Sequence, residues 1–215
     1  MINNKEKIIV ALDGFPTIES VLLFVDTLGD AVVRYKIGLE VFIKFGMSVV
    51  NYLSLHDKKV FLDLKIEDIP ETVKLAIMAL ADKVEFTTLR GDYNVIQAAI
   101  DGLTAANAKY PKLLWVPILS SQYGEYILSP MMEIAPFYGI VTSGVRIIQF
   151  RKLFPKIIIV APGIRMLAEG SDDHAVSTTP EQAIAWGADY LVIGRPITKA
   201  TNPVEKVQEI IERIK

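Results

Sequence analysis

Val60-Phe61-Leu62-Asp63-Leu64-Lys65-Ile66-Glu67-Asp68-Ile69-Pro70-Glu71-Thr72 is the stretch on which the fold turns. Val60, Phe61, Leu62 and Leu64 make an apolar run of strand length. Asp63 and Lys65 interrupt it two residues apart, and on a strand that spacing points both side chains to one face. Asp68 follows three residues later, and Pro70 marks the first turn of a helix. A buried strand that ends in alternating charge and leads into a helix is one β/α unit. A lone Asp-x-Lys reads as an ordinary salt-bridged strand end. Three charges of alternating sign, with Lys36 closing a different strand, read as a site.

The same unit recurs outward in both directions. Upstream, Ile8–Leu12 and Ala31–Ile37 are strands, followed by helices over Thr17–Leu28 and Leu39–Leu53. Downstream, strands are expected at Val84–Leu89, Leu113–Leu119, Tyr138–Val141, Lys156–Ala161 and Tyr190–Gly194. Helices are expected over Asp92–Asn107, Gly144–Phe154, from Pro180, and after the Asn202 cap with Pro203 next to it. A short helix is expected near Met131, in an irregular segment from Ser120 to Pro136. Pro117 weakens the inner part of the fifth strand, because proline cannot donate to a ladder. Eight units without a Pro/Ser-rich linker predict a single-domain (β/α)₈ TIM barrel over residues 1–215, of the α/β class. A doubly wound open sheet is the alternative, since alternation alone does not establish closure.

Composition narrows the function. The net charge is −2 and no basic stripe is present, which argues against nucleic acid or an anionic membrane as partner. Cysteine is absent, so disulfides, thiolate metal sites and thiol catalysis are excluded. No apolar run reaches bilayer-spanning length, and Met1–Lys7 lacks the pattern of a signal peptide. A soluble, cytoplasmic protein is the expectation.

Barrel active sites are built at the carboxyl ends of the strands. There the sequence places Asp13, Lys36, Asp63, Lys65, Ser120, Ser121 and Arg195. Each alone has a plain structural reading as a turn residue, a snorkelling cation or a loop serine; together they line one rim. Gly163 after strand seven and Gly194 with Arg195 after strand eight stand where barrels frequently bind phosphate. A guanidinium can bind that group bidentately. The polar loop from Pro162 to Thr179, with Gly170, is long enough to fold over a ligand.

Asp63, Lys65, Asp68, Ile69 and Thr72 form D-x-K-x-x-D-I-x-x-T, which resembles the signature of the orotidine 5′-phosphate decarboxylase family. Val10–Asp13, Tyr35–Gly38, Val141–Ser143, Ala161–Arg165 and Ala188–Ile197 extend the resemblance along most of the chain. It implies conversion of orotidine 5′-monophosphate to UMP and carbon dioxide, with no metal and no organic cofactor, in a homodimer. By the same resemblance, Asp13 and Lys36 would hold the ribose hydroxyls, Asp63 would face the reacting carboxylate, and Lys65 would protonate C6. Asp68 and Thr72 would reach into the partner's site, Ser120 would bond the pyrimidine, and Gly194 with Arg195 would hold phosphate.

Those roles suit the reaction. Loss of carbon dioxide leaves a carbanion, which needs fixed positive charge and a proton source. Opposite charges about 4 Å apart attract by roughly 4 kcal/mol at an effective dielectric near 20, so Asp63 and Asp68 as neighbours would keep Lys65 protonated. The chain departs from the family pattern twice: His174 stands where a glutamine usually contacts phosphate, and Leu89-Arg90-Gly91 lacks the histidine often found after strand four. Two other readings remain open. One is a magnesium-dependent sugar-phosphate decarboxylase or aldolase of the same superfamily, which would be expected to place a carboxylate where Lys36 stands. The other is a non-catalytic barrel that binds nucleotide phosphate.

Overall fold

The computed structural model describes residues 2–119, 137–166 and 178–215. Eight parallel strands pair in chain order and the last closes on the first, so the sheet is a closed barrel and the open-sheet alternative is ruled out. The strands are β1 (Ile8–Ala11), β2 (Arg34–Gly38), β3 (Lys59–Ile66), β4 (Phe86–Leu89), β5 (Lys112–Trp115), β6 (Gly139–Val141), β7 (Ile158–Ala161) and β8 (Tyr190–Ile193). Closure is direct: Ile8, Ile9 and Val10 register against Leu191, Val192 and Ile193.

Strand parity divides the core into two. Ile9, Ala11, Phe61, Phe86, Leu114, Val116, Val141, Val160, Tyr190 and Val192 point inward and fill the barrel. Their alternates, among them Ile8, Val10, Tyr35, Ile37, Val60, Leu62, Leu191 and Ile193, face outward under the helices. This is why nearly every strand reads as a continuous apolar run: both faces are buried. At the amino-terminal end the interior is closed by polar groups. Arg34, 4 % exposed, forms a two-pronged pair with Glu85 (Nε–Oε2 2.8 Å, Nη2–Oε1 3.1 Å). Its guanidinium also lies 5.3 Å from the ring centroid of Tyr190.

The helices follow from caps and stripes. Helix α1 (Ile18–Leu28) starts on a capping box between Thr17 and Ser20. Helix α4 (Pro70–Leu80) starts on Pro70, as expected, and buries Val73, Ile77 and Leu80. The C-terminal helix Pro203–Arg213 is capped by Asn202, with Val207 and Ile210 fully buried.

Several boundaries differ from expectation. The helix expected over Leu39–Leu53 is two helices, α2 (Leu39–Phe45) and α3 (Met47–Leu55), broken at Gly46, whose φ of 59° no helix accommodates. The second strand begins at Arg34, because residues 29–31 form a 3₁₀ turn. The fifth stops at Trp115, two residues before Pro117. A four-residue helix, Arg195–Thr198, follows β8 and was not expected. The helix expected near Met131 lies outside the described residues. Among the described residues, no helix is long and apolar enough to cross a membrane.

Candidate active site

Parity also selects what enters the carboxyl-terminal mouth of the barrel. Continuing each inward face upward from the packed interior gives Lys36 on β2, Asp63 and Lys65 on β3, and Thr88 on β4. A pocket of about 630 Å³ opens there. Asp13, Lys36, Asp63, Lys65, Gly163, Gly194 and Arg195 all line it, so seven residues singled out from the sequence come together. Asp68 and Thr72 do not line this pocket; both are exposed, and Asp68 Oδ1 instead accepts the backbone N–H of Ile69 at 2.7 Å. Ser120, Ser121, Gly170 and His174 lie outside the described residues.

The charges form a chain of alternating sign. Lys36 Nζ is 3.1 Å from Asp13 Oδ2 and 4.0 Å from Asp63 Oδ2, and Asp63 Oδ1 is 2.9 Å from Lys65 Nζ. The side chains of Lys36 and Asp63 are only 12 % and 13 % exposed, so salt screens their attraction little. Asp13 and Lys65, at the two ends, reach solvent more freely, at 49 % and 36 %. Two carboxylates and two ammonium groups leave the chain neutral, with a cation at its β3 end.

Other residues were not singled out by sequence. Thr88 donates its hydroxyl to Asp63 Oδ1 at 2.9 Å. Glu40 accepts the backbone N–H of Gly14 at 2.9 Å and pairs with Lys44, so it anchors the turn that carries Asp13. The Lys44 hydrogen bond, and then that of Gly14, hold the Glu40 carboxyl below its usual range. The four-residue spacing of Glu40 and Lys44 was a legible helix pair; its link to Gly14 was not. Thr142, Ser143 and Arg165, which the sequence marked only as parts of family-like runs and gave no role, are buried polar residues that also line the pocket.

At the β7–β8 side, Gly163 and Gly194 flank the pocket from just beyond the ends of those strands. The helix that begins at Arg195 packs its second and third residues, Pro196 and Ile197, into the core, while Arg195, Thr198 and Lys199 line the cavity. The pocket therefore has two polar sides: cations and backbone turns at β7–β8, and the charge chain across β1–β3.

Residues 6–210 match the model of the "Orotidine 5'-phosphate decarboxylase / HUMPS family". The chain is 36 % identical to an orotidine 5′-phosphate decarboxylase of Lawsonia intracellularis over 97 % of its own length and 99 % of the relative's. It is 33 % identical to the enzyme of that name from Pseudomonas paraeruginosa, covering 96 % and 97 %. Among solved structures, the orotidine 5′-phosphate decarboxylase of Lactobacillus acidophilus superposes with a TM-score of 0.80 at 31 % identity, over 98 % of this chain and 99 % of that one. Barrel, charged mouth and near full-length similarity agree, and the chain belongs to the orotidine 5′-phosphate decarboxylase / HUMPS family.

Proposed function

We propose that this enzyme converts orotidine 5′-monophosphate to UMP and carbon dioxide, as a metal-free carboxy-lyase of cytoplasmic pyrimidine biosynthesis. The observation that carries the reading is the Asp13–Lys36–Asp63–Lys65 chain inside the pocket. The names of the relatives support the substrate. As the bond from C6 to the carboxylate breaks, its electron pair stays on C6. Lys65 faces that developing charge and passes it a proton from Nζ. Asp63 crowds the substrate carboxylate before it leaves. Lys36 and Asp13 take the ribose hydroxyls, and Ser120 the pyrimidine. Arg195 and the turns at Gly163 and Gly194 take the phosphate, whose remote binding offsets the crowding at C6.

The same reading makes the enzyme a homodimer of single-domain chains, with Asp68 and Thr72 completing the partner's site. The exposure of Asp68 on the β3–α4 connection and of Thr72 in the first turn of α4 supports this, as does Ile69 between them, 66 % exposed. The magnesium-dependent alternative is disfavoured because Lys36 Nζ occupies the space between Asp13 and Asp63 that a divalent ion bound by both would need. The test is the absorbance change of orotidine 5′-monophosphate with EDTA present. Turnover unaffected by EDTA supports the proposal. Turnover only of sugar phosphates with magnesium overturns it, and binding of nucleotide without turnover supports a non-catalytic barrel.

A further inference from the structure

Thr88 is a fully buried residue on the inward face of β4, where threonine reads as an ordinary strand former. A hydroxyl has one proton and two lone pairs, and here it uses them on both residues of the reactive pair. It donates to Asp63 Oδ1 at 2.9 Å and accepts the backbone N–H of Lys65 at 2.8 Å. The second bond lies at an irregularity in the sheet. The β3–β4 ladder pairs Leu62 with Thr87 and resumes at Ile66 with Leu89, so β3 advances four residues while β4 advances two. Lys65 sits in that bulge with φ at 52°, a conformation a long side chain adopts only when its surroundings impose it. Out of ladder register, its N–H is bonded by the Thr88 hydroxyl instead.

We propose that Thr88 is a positioning residue for decarboxylation. It fixes the carboxylate of Asp63 and, through the backbone, the left-handed turn that aims Lys65. The Asp63–Lys65 bond at 2.9 Å leaves the ammonium one oxygen to follow, and Thr88 holds that same oxygen in place. Without the hydroxyl, Asp63 Oδ1 keeps, among the described residues, its mobile cationic partner Lys65, and the bulge loses the bond that stabilises it. Binding of phosphate and ribose, made elsewhere in the pocket, is untouched. The effect therefore falls on kcat and not on KM.

This inference rests on the proposed decarboxylation, and the test separates the two by measuring wild type alongside the variants. Thr88→Val keeps shape and loses both bonds; Thr88→Ser keeps the hydroxyl; Thr88→Cys matches serine except for the donor and acceptor atom. The expected result is a kcat lowered about tenfold to a hundredfold in the valine and cysteine variants, the size of one hydrogen bond to a charged group. KM should stay within about threefold, and serine should restore most of kcat. If valine fails to fold, the serine–cysteine pair still decides. Equal kcat in the serine and cysteine variants, or a lowered melting temperature with kcat unchanged, overturns the proposal. No turnover by wild type overturns the decarboxylase reading instead.

Discussion

Gly38 lies against the ammonium of Lys36: a Cβ at position 38 would stand 2.7 Å from Lys36 Nζ and 2.8 Å from Asp13 Oδ1. The backbone at Gly38, with φ −85° and ψ 177°, suits any residue. The constraint therefore comes from the ion pair and not from the chain. Gly38→Ala should fold normally but push Lys36 away from Asp13. We expect kcat/KM to fall about tenfold to a hundredfold, as for other small displacements of a charged site, with the melting temperature nearly unchanged. Full activity would show that the Lys36–Asp13 contact is dispensable.

The floor of the barrel makes the opposite prediction. Arg34 and Glu85 pair at the amino-terminal end, with side chains 5 % and 13 % exposed. Glu85→Gln leaves a buried guanidinium short of its counter-charge, at a cost of about 3 kcal/mol. For a chain of this size that lowers the melting temperature by roughly 6–12 °C. Activity measured well below the transition should be preserved, because the amino-terminal end of a barrel serves stability while the active site is built at the carboxyl-terminal end.

Tyr190, over the same guanidinium, gives a pH-dependent test. Burial pushes its phenol up to about 12, against the lowering influence of Arg34. Burial likewise raises Tyr35. An unfolded tyrosine releases its proton near pH 10, before the folded one does. The folded state thus holds more protons between about pH 10 and 12, and stability falls as pH rises through that window. Denaturant melts from pH 9 to 11.5 should show this decline, with a shallower slope in Tyr190→Phe. An unchanged slope would remove Tyr190 as a cause.

If Asp68 acts across a dimer, Lys65→Ala and Asp68→Ala proteins complement one another. Each is expected to be nearly inactive alone. Mixed, unfolded and refolded together, they should form some sites with both native residues and recover part of the wild-type rate. Absence of rescue, with a dimer present by sedimentation, would place Asp68 in its own chain's site.

The charge chain was legible because strand parity turns Lys36 and Asp63 to the barrel interior with their inward neighbours, and the two-residue spacing from Asp63 pointed to Lys65, although Lys65 reaches the mouth through a bulge rather than a regular strand. The helix break at Gly46 was not, because Val41, Phe42, Phe45, Val49 and Leu53 keep helical spacing through it. The separate registers of α2 and α3 both bury their share of that stripe. The bulge at Lys65 was hidden for a different reason. Lysine carries no left-handed preference, and the conformation arises from pairing with β4, a contact between residues 23 positions apart. Thr88 and Glu40 were missed for the same cause: each acts through a partner in another unit. Asp68 and Thr72 were legible as a motif, yet a single chain leaves them outside the pocket.

The most direct measurement is product formation by wild type and Lys65→Ala, followed by the appearance of UMP by NMR with orotidine 5′-monophosphate in excess and EDTA present. Wild type should convert the substrate completely. Lys65→Ala should still bind UMP but form product slower by several orders of magnitude, having lost its proton donor. Comparable conversion by Lys65→Ala, or none by folded wild type, would contradict the account.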